Sequence, residues 1–251
     1  MKLWQKIVTF LLMTSLSACV TPIQGGYGVQ ADQLAHIPAR IAVTSCRVWP
    51  QGALYPSQKA LQLAAEDLSR LCQRYDRAVL DGFEGQPYMR GLSPRVVQAL
   101  LEKNQQGSLL AQLEQLWFRP GQVCAACQHP SSYYREVIAP RNDWRQWLSQ
   151  LSRSASNSDA LLLPLVLEGE SRVIDDRGLF YASRSASLAL LLIDTNNGQL
   201  IWIGGRTAQV RRALPGSQKE ATPEQFPTWD ELWTRLFTSD LWQEFPGRQN
   251  S

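Results

Sequence analysis

The hydrophobic pattern begins with one apolar run that is too short to cross a membrane. Ile7 to Leu16 is apolar except for three hydroxyl residues, and the six residues before it carry two lysines and no acid. A permanent membrane helix needs about 20 apolar residues, roughly twice this length. The pattern therefore predicts the charged and apolar regions of a secretory signal peptide, residues 1–18.

The next periodic segments predict a strand, a helix and a second strand. Arg40 to Val48 is expected to form the first strand, and Arg77 to Leu80 the second. Between them a helix is expected to begin at Ser57, whose hydroxyl can cap its first turn. Its apolar residues fall at helical spacing: Leu61, Ala64, Leu68 and Leu71. This order favours a βαβ unit.

Further helices are predicted where a capping residue precedes an apolar stripe. The predicted caps are Ser93, Ser108, Asp143 and Thr228. Pro94 suits a first helical position, and Glu231 can complete a capping box with Thr228. Since each stripe occupies only one side of its helix, these helices need a sheet to cover.

The C-terminal half carries the clearest strand pattern. Ala160 to Leu167 predicts a buried strand, in which Pro164 indicates a sheet edge or a bulge because proline lacks an N–H. Ser183 to Ile193 and Gln199 to Val210 are β-rich runs joined by Asp194 to Gly198, which is typical of a hairpin. The predicted fold class is therefore α/β, a mixed β-sheet with a long C-terminal hairpin covered by amphipathic helices.

The residues after the apolar run, Leu16 to Cys19, resemble the lipobox of bacterial lipoproteins. The resemblance implies cleavage between Ala18 and Cys19, a diacylglycerol on the cysteine sulfur and an acyl chain such as palmitate on the new amino group. Stable anchoring takes at least two chains, so this anchor would hold firmly. Val20 stands where an Asp would retain the product in the inner membrane, which favours the periplasmic face of the outer membrane. The alternative is an ordinary signal peptide that ends near a cysteine.

The segment after the lipobox predicts the domain organisation. Val20 to Pro38 contains proline, glycine and polar residues without periodicity, as a tether does. Its residues would span about 60 Å fully stretched and roughly 24 Å on average, which keeps the folded part near its membrane. We therefore expect a signal peptide at 1–18, a lipidated cysteine with a flexible tether at 19–38, and a single periplasmic domain at 39–246.

The net charge and the sequence motifs limit the classes of function that the protein can have. The formal net charge is +3, and two of the lysines belong to the predicted signal peptide, so no strong field for nucleic acid follows. The chain has two histidines, His36 and His129, and it lacks G-x-S-x-G, H-E-x-x-H and phosphate-loop motifs. These features predict a protein without enzyme activity, without a cofactor and without a nucleic-acid partner.

Four cysteines remain besides Cys19, an even number in a compartment that permits disulfides. A local bond between Cys124 and Cys127 together with one between Cys46 and Cys72 is the simplest pairing. However, Cys72 at the far end of a helix of ~16 residues would lie about 24 Å from Cys46, so cross-pairing stays open. Cys124, Cys127 and His129 can alternatively supply zinc ligands or a redox pair, although a structural disulfide is favoured.

Two charged clusters have a functional and a structural interpretation. Paired acids can cleave glycans, but the interspersed arginines and the following glycine favour an exposed loop for one group of acids: Glu168, Glu170, Asp175 and Asp176. A basic end of the hairpin can meet an acidic partner, but a solvated face is favoured for its arginines: Arg206, Arg211 and Arg212. Core packing explains most tryptophans, and Trp49 and Trp242 are explained least.

The element order and the C-terminal motifs are similar to the superfamily of envelope lipoproteins that includes CsgG and LpoB. In that family a strand led by Asp-Ala precedes a long hairpin, at positions that match Asp159, Ala160, Asp194, Gly198 and Trp202. The tether is shorter than the linker of LpoB-like activators, so that role is in doubt. Leu188 to Ile193 lacks the alternation of a membrane pore strand and suggests a strand buried on both faces.

The resulting hypothesis is an outer-membrane-anchored periplasmic lipoprotein that binds an envelope protein and supports assembly of the cell envelope without catalysing a reaction. It contacts the membrane through the lipid on Cys19, and the sequence leaves its oligomeric state open. The alternative is a thiol-redox or metal-dependent periplasmic enzyme centred on Cys124, Cys127 and His129.

Overall fold

The centre of the fold is a six-stranded sheet, in a computed structural model that describes residues 37–49, 65–117, 124, 127, 129–216, 218–242 and 244–247. The strands are β1 Arg40–Val43, β2 Arg47–Val48, β3 Arg90–Leu92, β4 Ala160–Asp176, β5 Leu179–Asp194 and β6 Leu200–Ala213. The predicted signal peptide, Cys19 and most of the predicted tether lie outside the described residues.

Parallel and antiparallel pairs share the long strand β4. The order is β3-β1-β4-β5-β6, and β2 also pairs with β4. β1 runs parallel to β3 and β4, whereas β5 runs antiparallel to both of its neighbours, β4 and β6. The sheet is mixed and its C-terminal strands form long hairpins, which confirms the predicted fold class.

The junction between β1 and β4 is fixed by Asp159, the first residue of the Asp-Ala motif. Its Oδ2 accepts hydrogen bonds from the backbone N–H groups of Ala39, at 3.0 Å, and Arg40, at 2.9 Å. Ile41 then pairs with Ala160, and the side chains of Ile41 to Val43 are fully buried. The motif therefore has a structural role, because one carboxylate aligns the starts of two parallel strands.

Helices cover both faces of this sheet. They are α1 Ala65–Asp81, α2 Pro94–Lys103, α3 Leu109–Trp117, α4 Pro130–Tyr133, α5 Asn142–Ser154 and α6 Trp229–Leu236. A π-helical turn, Tyr134–Ile138, continues α4, and 3₁₀ turns occur at Pro223–Gln225 and Ser239–Trp242. None of the helices in the described ranges has the length and apolar character needed to cross a membrane.

The sheet separates two apolar clusters, because successive strand residues point to opposite faces. On β4, Leu161, Leu163 and Leu165 belong to a cluster with the buried sides of α2, α3, α4 and α5. Leu162 and Val166 belong to the other cluster, with α1, α6 and the C-terminal aromatics. We call these sides the α2–α5 face and the α1/α6 face.

The predicted second strand was wrong. Arg77 to Leu80 lies inside helix α1, and the strand that follows α1 is β3. The apolar residues of this segment extend the buried stripe of α1 at Leu71, Tyr75 and Val79, a helical spacing. The βαβ arrangement itself is present, since β1 and β3 are parallel and α1 lies between them in the chain. The predicted first strand is divided into β1 and β2.

The predicted exposed loop from Glu168 to Asp176 was also wrong. These residues form the second half of β4 and pair with β5 as far as Asp176 and Leu179. The chain reverses only at Arg177 and Gly178, which have φ of 56° and 84°. Asp175 supports this turn, because its Oδ1 accepts a hydrogen bond from the N–H of Gly178 at 2.8 Å. A glycine tolerates the left-handed conformation best.

Pro164 lies within β4 opposite Leu190, at neither an edge nor a bulge. The carbonyls of Leu162 and Val166 accept hydrogen bonds from the N–H groups of Thr44 and Trp49. The backbone groups of alternate residues, 162, 164 and 166, therefore point towards β1 and β2. β1 pairs with β4 up to Leu162 and β2 from Leu165 onward. The proline nitrogen therefore faces the step between two short strands, where the ladder needs no donor.

The predicted C-terminal hairpin is confirmed and extends beyond the predicted bounds. Asp194 Oδ1 accepts hydrogen bonds from the N–H groups of Asn196, at 2.7 Å, and Asn197, at 3.3 Å, and Gly198 has a φ of 72°. The predicted caps Ser93 and Thr228 accept hydrogen bonds from the first turns of α2 and α6. Asp143 is the second residue of α5 rather than its cap, and it pairs with Arg141 at 2.7 Å.

The structure joins the cysteines in two pairs, Cys46 to Cys72 and Cys124 to Cys127, each with a Cα–Cα distance of 5.2 Å. The geometric objection to the first pair was wrong. It placed Cys72 at the end of the helix, whereas α1 continues to Asp81 and holds Cys72 in its middle, beside the segment between β1 and β2.

Candidate functional site

A groove lined by arginines and aromatic residues opens on the α1/α6 face. Its main chamber has a volume of about 640 Å³ and lies between α1 and the segment that leads into α6. Arg70, Arg74 and Arg77 of α1 line one side, and Arg184 of β5 lies beside Trp229. The groove is formed by parts of the chain that are far apart in sequence.

Helix α1 carries arginines at the groove because only one stripe of the helix is apolar. Leu71, Tyr75 and Val79 are buried against the sheet, so the exposed positions 70, 74 and 77 fall beside that stripe. Three guanidinium groups therefore project from about two turns of one helix.

Three contacts hold α1 in this orientation. The disulfide Cys46–Cys72 ties it to the segment before β2, and Asp76 Oδ1 accepts a hydrogen bond from the N–H of Cys46 at 2.7 Å. The hydroxyl of Tyr75 donates to the carbonyl of Ala189 in β5 at 2.8 Å. Burial raises the pKa of Asp76 to about 6, although the hydrogen bond from Cys46 lowers it. The arginine-bearing wall is therefore pre-organised against the sheet.

Arg184 is fixed by aromatic rings on the opposite side of the groove. Its guanidinium lies 4.6 Å from the ring centroid of Trp229 and 5.8 Å from that of Phe226, within the range of cation–π attraction. Burial lowers the pKa of Arg184, but an arginine keeps its charge at physiological pH. The rings thus hold a positive charge at the base of the groove.

One ion pair crosses from α1 to α6. Arg74 Nη2 lies 3.4 Å from Asp230 Oδ1, and the two side chains are 56% and 79% exposed. A second pair, between Arg70 and Glu66, stays within α1. Exposed pairs of this kind contribute little stability, typically below about 1 kcal/mol, so neither pair closes the groove firmly.

The groove continues into a second chamber of about 360 Å³. Both chambers are lined by Arg74, Arg77 and Trp233, which makes them one elongated depression. Beyond the shared residues, Asp81 and Phe237 line the second chamber. Such a shape can hold a chain laid along α1.

The predicted thiol site is elsewhere, and the structure brings a different third residue to it. Glu136 Oε2 lies 3.5 Å from the Cys124 sulfur and 3.6 Å from the Cys127 sulfur. Glu136, not His129, completes the cluster of potential donors around these two cysteines within the described residues. In the disulfide that the structure contains, neither sulfur is a thiolate, the form that binds metal or attacks a substrate.

The predicted charged clusters have structural partners. Glu170 pairs with Arg172 at 3.1 Å along β4. Arg206 was expected on a solvated face, but it is buried and its guanidinium donates to Thr238 Oγ1. Arg212 is exposed and pairs with Glu231 at 2.9 Å. The partners of Arg206 and Arg212 come from the C-terminal segment after the sheet, and the residues next to these arginines in the sequence did not indicate them.

The two least explained tryptophans belong to the core. Trp49 is fully buried on the α2–α5 face, with ring centroids 5.8 Å from Trp117 and 5.2 Å from Tyr133. Trp242 is 5% exposed and stacks on Trp202 on the α1/α6 face. Trp49 is closed off from solvent, whereas Trp242 also lines the second chamber of the groove.

Sequence reasoning missed the groove. The spacing of Arg70, Arg74 and Arg77 was a usable signal, but placing a strand at Arg77 interrupted the helix that carries them. The other walls, from β5 and α6, come together only in the tertiary structure.

Comparison with known proteins gives weak structural likenesses. No family model matches the chain, and no curated protein matches it. Lipoprotein GNA1162 from Neisseria meningitidis is 16% identical, with 72% of this chain and 88% of that chain covered and a TM-score of 0.33. The C-terminal domain of LpoB from Escherichia coli is 8% identical, with 71% and 88% covered and a TM-score of 0.33. The PelC dodecamer from Paraburkholderia phytofirmans is 12% identical, with 92% and 99% covered and a TM-score of 0.35.

Proposed function

We propose that this protein is a lipid-anchored, non-enzymatic binding factor of the bacterial cell envelope, and that the groove between α1 and α6 is its binding site. The observation that carries the proposal is the pre-organised wall of arginines on α1, opposite a base of buried aromatic rings. Arginine and tryptophan are the residues most enriched where binding energy concentrates at protein interfaces.

The location of the protein follows from its sequence. The lipobox supports cleavage before Cys19 and acylation of that cysteine, and Val20 supports sorting to the periplasmic face of the outer membrane. Residues 19–38 then serve as tether, and 39–246 as a single domain whose groove reaches partners in that membrane or the nearby wall. Cys19→Ala should abolish lipid labelling and release the protein from membranes, and retention in the membrane fraction would contradict the anchor.

The composition of the groove supports binding rather than catalysis. No histidine or cysteine occurs among the described residues that line its two chambers. The lining offers several guanidinium groups, which bind oxyanions through paired N–H donors, and ring surfaces that exclude water. An enzyme-like rate of turnover by the purified domain on peptidoglycan, an ester or a peptide would contradict this proposal.

In-cell crosslinking tests the site directly. Gln73 lines the groove and is exposed, so a photo-crosslinking amino acid at this position should capture an envelope protein. Gln150 is an exposed residue of α5, on the other face of the sheet, and provides the matched control. Capture from position 73 but not from 150 supports the groove as the binding site. Equal capture from both, or capture from 150 alone, would reject it.

A further inference from the structure

We infer that the occupant of the groove is an extended acidic segment of a partner protein, and that Asp230 holds the place of one of its carboxylates until the segment binds. This inference rests on the proposed function, because it names the ligand class of the same site. It follows from the way charges and rings are distributed along the groove.

The positive charges are arranged for carboxylates. Arg74 and Arg77 line both chambers, and Arg184 lies at the base of the first. A guanidinium presents its N–H donors as a planar fork, which matches the two oxygens of a carboxylate. Arginines spread along an elongated groove therefore favour a ligand with several carboxylates in a row over a single small anion.

Asp230 already shows where such a carboxylate sits. Its pair with Arg74 joins α6 to α1 across the groove, yet the distance is 3.4 Å and both side chains are more than half exposed. A pair so solvated is easily exchanged, because water screens it and two long side chains lose freedom to form it. An incoming carboxylate can take over Arg74, and Asp230 then returns to solvent.

The aromatic residues argue against a sugar ligand. Trp229 is 9% exposed and Trp233 is 6% exposed, and their rings stack on each other with centroids 5.1 Å apart. The Arg184 guanidinium also lies against Trp229. Ring faces that are already covered cannot stack on a pyranose, so an anionic polysaccharide lacks the contact that aromatic side chains would offer it.

The test measures binding of a fluorescent peptide of alternating glutamate and alanine to the purified full-length protein at low salt. The double variant Arg74→Gln/Arg77→Gln should weaken binding by about tenfold or more, since two charge-assisted contacts are lost. Arg145→Gln/Arg153→Gln removes the same charge from exposed positions of α5 and should change affinity by less than about twofold. Asp230→Asn should strengthen binding about threefold, because the competing carboxylate is gone.

Several results would overturn the inference, and three of them come from the groove variants and from a competing sugar. They are equal losses in the groove and control variants, unchanged or weaker binding after Asp230→Asn, and an oligogalacturonate of matched charge that binds more tightly than the peptide. A glutamine-alanine peptide that binds as well as the acidic one would also reject it. If the acidic peptide does not bind but the photo-crosslinking residue at position 73 still captures a protein in cells, the ligand class is wrong and the proposed function stands. If both fail, the groove is not the binding site.

Discussion

The two faces of the sheet use the same residue types for different purposes. On the α2–α5 face, Trp144 and Trp147 are at most 2% exposed, and their indole N–H groups donate to Tyr134 and to the carbonyl of Leu109, both at 2.9 Å. On the α1/α6 face, Trp229 and Trp233 lie under arginines at an open groove. Buried aromatics therefore stabilise one face and form the base of a binding surface on the other.

The comparison teaches that the two faces differ in the polar contacts around their aromatic rings rather than in aromatic content. Four aromatic side chains of the α2–α5 face donate hydrogen bonds within the protein: Tyr133, Tyr134, Trp144 and Trp147. Tyr134 reaches the carbonyl of Gly198 at the β5–β6 turn, at 2.6 Å. The Arg74–Asp230 pair of the α1/α6 face is 3.4 Å long, and both of its side chains are more than half exposed. The first arrangement resists change, whereas the second permits exchange of partners.

The largest effect is expected for a ring of the α2–α5 face. Trp144→Ala should lower the free energy of unfolding by about 3–5 kcal/mol, because it empties a fully buried site and removes the donor to Tyr134. Chemical denaturation of Trp144→Ala and of Trp229→Ala compares the loss of stability on the two faces. An equal loss in both variants would show that the groove base is as essential to the fold as the opposite core.

We expect the two disulfides to differ in how much each stabilises the fold. Cys46–Cys72 closes 26 positions and Cys124–Cys127 closes 3, so loss of the first should cost about 3.5 kcal/mol and loss of the second about 1.6 kcal/mol in the chain-entropy model. Double serine variants compared by thermal unfolding check this order. Only Cys46→Ser/Cys72→Ser should also weaken binding of the acidic peptide, since it frees α1. A larger loss from the C-x-x-C pair would indicate that Glu136 and these cysteines have a further role.

Asp76, which helps to hold α1 below the groove, should make the stability of the protein depend on pH. Burial raises its pKa to about 6, above its ordinary value of 3.8, so the folded state holds the proton more tightly than the unfolded chain. Its contribution to stability is therefore full below pH 3.8 and is lost as the pH rises through about 6.

Asp76→Asn keeps an acceptor for the Cys46 N–H but cannot titrate. Between pH 4 and pH 7 the original protein should lose about 1–2 kcal/mol relative to this variant, a value reduced because the carboxyl is partly solvated. Urea midpoints at the two pH values give the difference. A constant difference across this range would show that Asp76 has an ordinary pKa.

The smallest effect on stability is expected at the groove itself. Arg74→Gln breaks one exposed pair and should change the free energy of unfolding by less than about 1 kcal/mol. The same variant should still weaken binding of the acidic peptide, so that the effects on binding and on folding can be told apart on this face. A large loss of stability would mean that the Arg74–Asp230 pair is structural and cannot act as an exchangeable contact.

Local signals predicted the parts of the fold that depend on neighbouring residues. The hairpin through Asp194 to Gly198 and the caps at Ser93 and Thr228 were predicted because turn and cap chemistry acts within a few residues. Arg77 to Leu80 was misassigned because a short apolar run fits a strand as well as a helix. The charged half of β4 was taken for a loop, because its partners in β5 were not visible from its own residues.

The groove depends on contacts that no local pattern contains. Arg74 and Asp230 are 156 positions apart in the chain, and Arg184 reaches Trp229 only after β5 and α6 have packed together. The pairing of Cys46 with Cys72 was left open on helix length alone, because the residue at which α1 ends was not known. Sequence patterns therefore found the sheet and its covering helices but not the site between them.

Because Asp159 aligns β1 with β4, β1 cannot take its final place until a much later part of the chain has been synthesised. Asp159 follows Arg40 by 119 positions, so β1 leaves the ribosome long before the strand that it must join. At 5–20 residues per second, that interval is roughly 6–24 s. During this time Ile41 to Val43 remain an apolar segment without their β4 partner, a target for chaperones or export factors that bind nascent chains. The fold can be completed only after the central strand has been synthesised.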